Sequence, residues 1–216
     1  MHFATHPPQQ KRTRDSLERL MAAGMEVLAQ DGWDAFTIAA VAKRAEVGTA
    51  SIYRRFEDKD TFKLALHRSF SDQLSADWLP AFRALARADL DLETLVRSLV
   101  DALGKSFRDN EQLMRAIVLG AITDPRLTAV GEREIRAVAL EFEDALLAHK
   151  DQFGDVDARR AVALSFQVSF DTFNRLLLYG GQAHPELGWD DLTDELSRMT
   201  LAYLRAGEEF HKPRPA

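Results

Sequence analysis

Side chains that can hydrogen-bond to a phosphate or a base edge are concentrated in one short stretch of this sequence. They are Thr49, Ser51, Tyr53, Arg54 and Arg55, with the small residue Ala50 among them. No long acidic side chain interrupts the group. If the stretch is helical, Ile52 and Phe56 face inward, because residues four apart share one face of a helix. Short polar groups on an outward helical face suit the major groove of duplex DNA, so nucleic-acid binding is the chemistry that this stretch predicts.

Other chemistries find little support in the sequence. The chain has no cysteine, which excludes disulfides, thiolate metal ligands and cysteine nucleophiles. Its six histidines lack the spacing of metal ligands, and no nucleophile motif of the Gly-x-Ser-x-Gly kind occurs. Gly180 and Gly181 form an isolated pair rather than a phosphate-binding loop. We therefore expect no catalytic residue, no metal site and no cofactor.

The polar stretch lies in a predicted helix-turn-helix. Thr37 is a suitable N-cap for a short helix over residues 38–45, and residues 46–48 interrupt that helix. The second, recognition helix is predicted over about 49–56. A longer helix over about 12–31, closed by Gly32, precedes the pair. A fourth helix opens at residues 58–60 and continues to about residue 74.

The rest of the chain also has helical periodicity, and no alternating segment of the strand type stands out. Five further helices are predicted beyond about residue 75, at 92–108, 110–122, 131–149, 157–178 and 190–206. The predicted fold is all-α, with three helices in an N-terminal head and about six in a body.

Charge is distributed unevenly along the chain. The net charge is −6, which by itself disfavours a polyanion partner. Residues 1–70, however, hold 11 Lys and Arg against 9 Asp and Glu, a net of +2, whereas residues 71–216 hold 17 against 25, a net of −8. A polyanion is therefore expected to meet the N-terminal part.

Residues 32–60 resemble the DNA-binding signature of TetR-family regulators. The match is strongest at Thr37-Ile38 with Ala42 downstream, at Val47, and in the block Ile52-Tyr53-x-x-Phe56-x-x-Lys59-Asp60. The resemblance covers roughly residues 12–68. It implies a dimeric, ligand-responsive transcriptional regulator, more often a repressor than an activator, which binds palindromic double-stranded DNA.

The resemblance also implies roles for individual residues. Thr37 and Tyr53 match the family's phosphate contacts, and Lys59 matches the lysine that opens the fourth helix, where the helix dipole also favours a phosphate. Of the two adjacent arginines, Arg54 is the better candidate for reading the base sequence and Arg55 for contacting a phosphate, and the two assignments are nearly even. The complete predicted DNA-binding set is Thr37, Gly48, Thr49, Ala50, Ser51, Tyr53, Arg54, Arg55 and Lys59. The basic cluster Lys11, Arg12 and Arg14 either reaches the DNA or keeps the tail soluble.

Two residues depart from the family pattern. Glu46 stands where the family usually has glycine, at a turn position that often needs positive φ. A residue with a side chain there costs about 1 kcal/mol. Gly48 stands where a side-chain N-cap is common, although glycine is tolerated at that position.

The body is rich in buried-type aromatic and apolar side chains. Core packing is the default interpretation for them, but the family resemblance implies that part of the set lines an effector pocket. The candidates are Phe107, Met114, Ile117, Phe142, Phe166, Phe170 and Phe173. A largely apolar small molecule is the expected effector, and Asn174, Arg175 or His184 could orient it.

The last two predicted helices hold more apolar side chains than one core-facing stripe needs, which favours a partner helix. TetR-family dimers use these two helices as a four-helix bundle. A homodimer with Leu192, Leu196, Met199 and Tyr203 in its interface is therefore expected.

The predicted organisation is a flexible tail at 1–11, a DNA-binding domain at 12–58, an effector-binding and dimerisation domain at 59–206, and a tail at 207–216. No signal peptide or membrane span is recognisable, and a cytoplasmic location is expected. Two alternatives stay open. One is a helical enzyme or carrier with a fortuitous helix pair, and the other is a DNA-binding adaptor or architectural protein without an effector.

Overall fold

The computed structural model describes residues 8–180 and 184–206, with side chains from residue 13 onward. Within these residues the chain is all-helical and contains no strand, which confirms the predicted fold class. The nine helices of the described part are α1 (Pro8–Ala35), α2 (Ile38–Arg44), α3 (Thr49–Tyr53), α4 (Lys59–Arg87), α5 (Leu92–Asp109), α6 (Glu111–Thr123), α7 (Pro125–Leu147), α8 (Ala158–Tyr179) and α9 (Trp189–Leu204). No helix in these ranges is long and apolar enough to cross a membrane.

The helices form two compact units. The first contains the described residues up to Ser71 together with Gln112–Val130, and the second contains Asp72–Glu111 and the described residues from Gly131 onward. The unit that holds the helix-turn-helix also includes the beginning of α4, most of α6 and the start of α7.

The first unit has a core of α1, α2, α3 and the start of α4. Leu20, Val27 and Leu28 of α1 are buried at helical spacing. Phe36 and Phe62 are fully buried, with ring centroids 5.9 Å apart. The packing of α1 on α4 is close, since a Cβ at Gly24 would lie 2.8 Å from Leu66 Cδ2.

The second unit is organised around the amphipathic α5, whose apolar side chains recur every three or four residues. Leu92, Leu99 and Leu103 are among its fully buried residues. Helix α9 packs along α5 and α8. Gly104 allows this packing, because a Cβ there would come within 2.8 Å of Phe173 and Thr193 atoms.

Side-chain caps define several helix starts in the chain. Asp91 Oδ1 accepts from Thr94 N at 2.7 Å to begin α5, and Asp157 Oδ1 accepts from Arg160 N at 3.0 Å to begin α8. At the start of α9, Asp191 Oδ2 accepts from the N–H of Gly188 at 3.0 Å. Gly180, with a φ of 61°, closes α8.

Several predicted helix bounds were wrong, and a proline at the first helical position explains two of the errors. Pro8 begins α1 four residues before the predicted start, and Pro125 begins α7 six residues early; both occupy the first helical position, where no N–H is needed. Pro80 lies inside α4, which continues to Arg87 instead of ending near residue 74. The buried Trp78 and Phe82 hold this continuation in the core of the second unit.

Candidate functional site

The helix-turn-helix of the first unit has the caps that its sequence predicts. Thr37 takes an extended conformation, and its Oγ1 accepts from Ala40 N at 3.1 Å. The turn after α2 contains Glu46 with a φ of 55°, so this position does require the left-handed region despite its side chain. Gly48 is the N-cap of α3 and supplies no side-chain cap. The exposed Thr37 hydroxyl keeps its proton available, because capping uses only its oxygen.

The outward face of α3 is open to solvent. Thr49, Ala50, Tyr53 and Arg54 are exposed, with Tyr53 54% accessible, whereas Ile52 is fully buried. This arrangement places the predicted polar residues outward and the predicted anchor inward. The helix itself ends at Tyr53 rather than Phe56, and only backbone turns bonded to Ala50 and Ile52 continue it. The surface available for entering a groove is therefore one helical turn and the residues that follow it.

Arg55 has a structural position that sequence reasoning missed. Its Nη1 donates to the carbonyl oxygen of Ser51 at 3.1 Å and to Ser51 Oγ at 3.0 Å, and its Nη2 donates to Ser16 Oγ at 3.3 Å. The guanidinium thus ties α3 to α1. Neighbouring Arg54 is exposed. These contacts leave Arg54 the better placed of the two arginines for a nucleic-acid contact.

Lys59 stands at the first position of α4, as the sequence predicts. Its Nζ lies 5.9 Å from the centroid of the Phe36 ring, a cation–π distance. The preceding Asp58 accepts from Thr61 N at 2.7 Å through Oδ1, and this backbone hydrogen bond lowers the pKa of Asp58. Asp60 lies 3.7 Å from Lys63 Nζ and 3.5 Å from Arg126 Nη2. Both flanking carboxylates are therefore engaged locally, which reduces their competition for the Lys59 ammonium.

The basic cluster before the helix-turn-helix is only partly described. Arg14 is exposed and pairs with Glu18 at 3.0 Å, one turn further along α1. The side chains of Lys11 and Arg12 lie outside the described residues, so their predicted role stays a prediction.

Two sets of side-chain contacts hold the helices of the first unit together, one from Arg44 and one from Trp33. Arg44 donates to Glu26 Oε2 at 3.1 Å and to Gln30 Oε1 at 2.9 Å, which holds the end of α2 against α1. Trp33 follows Gly32, whose φ of 68° breaks α1, and its Nε1 donates to the carbonyl oxygen of Ala116 at 2.6 Å. A Cβ at Gly120 would lie 2.2 Å from Trp33 Nε1. Helix α6 therefore accepts this indole only because residue 120 is glycine.

Five of the predicted pocket residues form one aromatic cluster in the second unit. The Phe107 ring lies 5.3 Å from Phe170 and 5.8 Å from Phe173, centroid to centroid. Phe166 joins Phe170 and Phe142 at 5.5 Å each. All five are buried. Met114 and Ile117 are also buried, on α6 in the first unit.

Three further aromatic residues of the cluster were not predicted from the sequence. Trp78 lies 6.3 Å from Phe107, Phe82 lies 6.0 Å from Phe142, and Trp189 lies 6.0 Å from Phe173. Trp78 and Phe82 fall in the continuation of α4 that was not predicted. Their spacing of four residues was the available signal.

The proposed orienting groups occupy different environments. Asn174 Oδ1 is buried. Arg175, in contrast, is exposed with its guanidinium 5.5 Å from the Tyr179 ring, and His184 pairs with Glu186 at 3.1 Å on the surface. Of the three groups, Asn174 alone presents a buried polar atom to the interior of its unit.

The predicted dimer residues divide between core and surface. Met199 is 58% exposed and Tyr203 is also exposed, whereas Leu192 is half-buried and Leu196 is only 4% exposed. Leu196 therefore packs inside the chain. On α8, the apolar side chains of Val162, Phe166 and Phe173 are likewise buried in the core. The exposed apolar side chains of α8 are Leu164, Val168 and Tyr179.

No group of three or more His, Asp or Glu side chains in the described residues is arranged to hold a metal ion.

Comparison with known proteins gives a family match for the N-terminal residues and fold matches for most of the chain. Residues 20–66 match the family model described as bacterial regulatory proteins, tetR family. No curated protein matches the sequence significantly. Among solved structures, a putative TetR-family transcriptional regulator from Mesorhizobium loti is similar, with a TM-score of 0.70 at 18% identity over 89% of this chain and 96% of the other.

Two further structures share the fold at low identity. The fatty acid degradation regulator FadR from Bacillus halodurans has a TM-score of 0.62 at 16% identity, over 88% of this chain and all of its own. The multidrug binding protein EbrR, solved with imidazole, has a TM-score of 0.64 at 19% identity, over 92% of this chain and 96% of its own. Residues 20–66 thus match the tetR-family model, and most of the chain shares the all-helical fold of these three solved structures.

Proposed function

We propose that this protein is a repressor that binds a palindromic operator as a homodimer and leaves it when a small, largely apolar effector binds. The observation that carries the proposal is the exposed face of α3, backed by the buried Ile52 and followed by Lys59 at the start of α4. Because the described residues contain one reader of this kind, two chains related by a two-fold axis would read two half-sites.

In the proposed complex, contacts to phosphates and to bases come from different residues. Thr37, Tyr53 and Lys59 position the head on the phosphates, and Thr49, Ala50, Ser51 and Arg54 approach the base edges. Gly48 has no side chain and would let the protein backbone approach the DNA closely. The space that its Cβ would occupy is open, with nothing within 4 Å. Arg55 supports this surface through its hydrogen bonds to Ser51, and we do not propose that it contacts the DNA directly.

The proposed dimer interface is the exposed apolar stripe of α8 and α9. Leu164 and Val168 are one turn apart on α8, and Met199 and Tyr203 are one turn apart on α9. Such exposed pairs on two packed helices can form a four-helix bundle with the same pairs of a second copy. Leu196, and the half-buried Leu192, would support this interface from beneath.

The effector is proposed to bind at the aromatic cluster of the second unit. Helix α4 provides the link to DNA, because it carries Lys59 at its first residue and Trp78 and Phe82 in the cluster. A ligand that favours a different position of α4 would change the placement of Lys59. It can weaken operator binding only by its preference for the non-binding arrangement, typically 1–3 kcal/mol.

The proposal is tested by selecting DNA fragments from a random pool with the purified full-length protein, followed by footprinting. We expect enrichment of a two-fold symmetric sequence, with protection of two half-sites about one helical turn apart. Binding without sequence preference would overturn the operator assignment. If a symmetric operator emerges but no ligand alters its affinity, the protein is the adaptor without an effector.

A further inference from the structure

We infer that the effector is a neutral aromatic molecule with both a hydrogen-bond acceptor and a hydrogen-bond donor, recognised by the indole N–H of Trp78 and the side-chain carbonyl of Asn174. This inference rests on the proposed effector function and specifies its ligand. It starts from two polar atoms. Trp78 Nε1 and Asn174 Oδ1 are the buried side-chain polar atoms that find no hydrogen-bond partner among the described residues.

Unpartnered polar atoms in a folded interior require an explanation. Buried polar groups are almost always hydrogen-bonded, because burial removes them from water without replacing its hydrogen bonds. Other buried polar side chains of the second unit follow the rule: Ser165 Oγ donates to the Ala161 carbonyl and Ser169 Oγ to the Ser165 carbonyl, each at 2.8 Å. Trp78 Nε1 and Asn174 Oδ1 are therefore exceptions among the buried polar side-chain atoms that the structure describes in this unit.

Both exceptions lie on helices that contribute rings to the aromatic cluster, Trp78 on α4 and Asn174 on α8. The indole of Trp78, 7% exposed, stacks on the Phe107 ring at 6.3 Å with an interplanar angle of 24°. Phe107 contacts Phe170 at 5.3 Å, and Asn174 follows Phe170 by one turn on α8. Phe107 thus contacts both the indole that carries the buried donor and the Phe170 ring, which lies one turn before the buried acceptor on α8.

The chemistry of the two groups sets the chemistry of the ligand. An indole N–H can only donate, and a side-chain carbonyl oxygen can only accept. The ligand must therefore offer an acceptor to Trp78 and a donor to Asn174. The rings of the cluster arrange edge to face and offset, which suits an aromatic ligand. All of these groups are uncharged, so a neutral ligand avoids the burial of an unpaired charge.

Three matched probes separate the elements of this inference. The probes are para-propylphenol, with an acceptor and a donor; para-propylanisole, with an acceptor only; and propylbenzene, with neither. Calorimetric titration of the full-length protein is expected to give affinities in that order, with each matched hydrogen bond contributing about tenfold. Equal affinities for the three probes, or binding of none of them, would overturn the inference without any variant.

Two substitutions then assign the groups. Trp78→Phe is expected to weaken the phenol and the anisole about tenfold and to leave propylbenzene unchanged. Asn174→Leu is expected to weaken the phenol alone. Trp189→Phe is the matched control, since Trp189 also contacts Phe107 and Phe173 but its N–H is not among the unpartnered atoms. It should affect all three probes equally. Persistence of the full affinity order in Trp78→Phe and Asn174→Leu would contradict the assignment.

A separate titration with operator keeps this inference distinct from the proposed function. Ordered binding of the probes with unchanged operator affinity would support the ligand site and count against effector release. Release of operator by a ligand that lacks both polar groups would support the proposed function and contradict the inference.

Discussion

At the scale of single residues, the structure shows that neighbouring side chains of one sequence motif have different environments. Arg54 and Arg55 are adjacent and chemically identical, so sequence alone left their roles nearly equal. The hydrogen bonds of Arg55 to Ser51 and Ser16 settle its local position. These partners lie 4 and 39 residues away in the chain. The second cannot be read from a local pattern, which is why the division was not predicted.

The two arginines should therefore respond differently to substitution. Arg55→Ala is expected to lower the free energy of unfolding by about 1 kcal/mol, because it removes hydrogen bonds between α3 and α1. Arg54→Ala should leave stability within about 0.5 kcal/mol and change which bases the protein prefers. Urea unfolding and repeated DNA selection measure the two effects. Equal stability loss in both variants would contradict the division.

His67 gives the stability of the first unit a dependence on pH. The side chain is 1% exposed on α4, 3.4 Å from Ser71 Oγ, and burial lowers its pKa below the ordinary value. As pH falls through about 6.5, the unfolded chain protonates this imidazole while the folded chain resists, so stability is lost. We expect the melting temperature of the wild type to fall more between pH 7.5 and 5.5 than that of His67→Gln. An identical fall in both proteins would show that His67 does not contribute.

At the scale of helices, periodicity predicted which segments are helical but not where each one ends. Helix α4 was predicted to end near residue 74 but continues through Pro80 to Arg87, because burial of Trp78 and Phe82 outweighs one missing backbone hydrogen bond. Similarly, the sequence showed that α8 and α9 are rich in apolar residues, but it did not predict which of these residues are buried and which are exposed. That division depends on which neighbouring helices cover each face, and α9 packs against both α5 and α8.

The contact of Trp33 with α6 depends on the absence of a side chain at Gly120. Gly120→Ala would place a methyl group 2.2 Å from Trp33 Nε1 and displace the indole from the Ala116 carbonyl. We expect a loss of about 1–3 kcal/mol in unfolding free energy. Leu119→Ala, on the same helix with an exposed side chain, should cost less than about 0.5 kcal/mol. Comparable losses in both variants would mean that the Trp33 contact is not critical.

At the scale of the whole molecule, helical periodicity predicted the all-helical fold and the family resemblance implied a dimer. The dimer completes the proposed function. Met199→Glu should give a monomer in solution, because it places a charge within the proposed apolar interface. Leu140→Glu is the matched control: Leu140 on α7 is 55% exposed, close to the 58% of Met199, and lies outside the proposed interface. Mass measurement by light scattering distinguishes the two. A Met199→Glu protein that remains dimeric would place the interface elsewhere.

The central claim is that the surface formed by α3 and the start of α4 binds operator DNA. Its most direct test is the affinity of Tyr53→Ala plus Lys59→Ala for a selected operator fragment at several salt concentrations. Lys150→Ala, which removes the same charge from an exposed turn of the second unit, is the control. We expect the double variant to lose at least about tenfold in affinity and about one unit of salt slope for each Lys59 removed, and the control to bind as the wild type does. Unchanged affinity in a folded double variant would contradict the account.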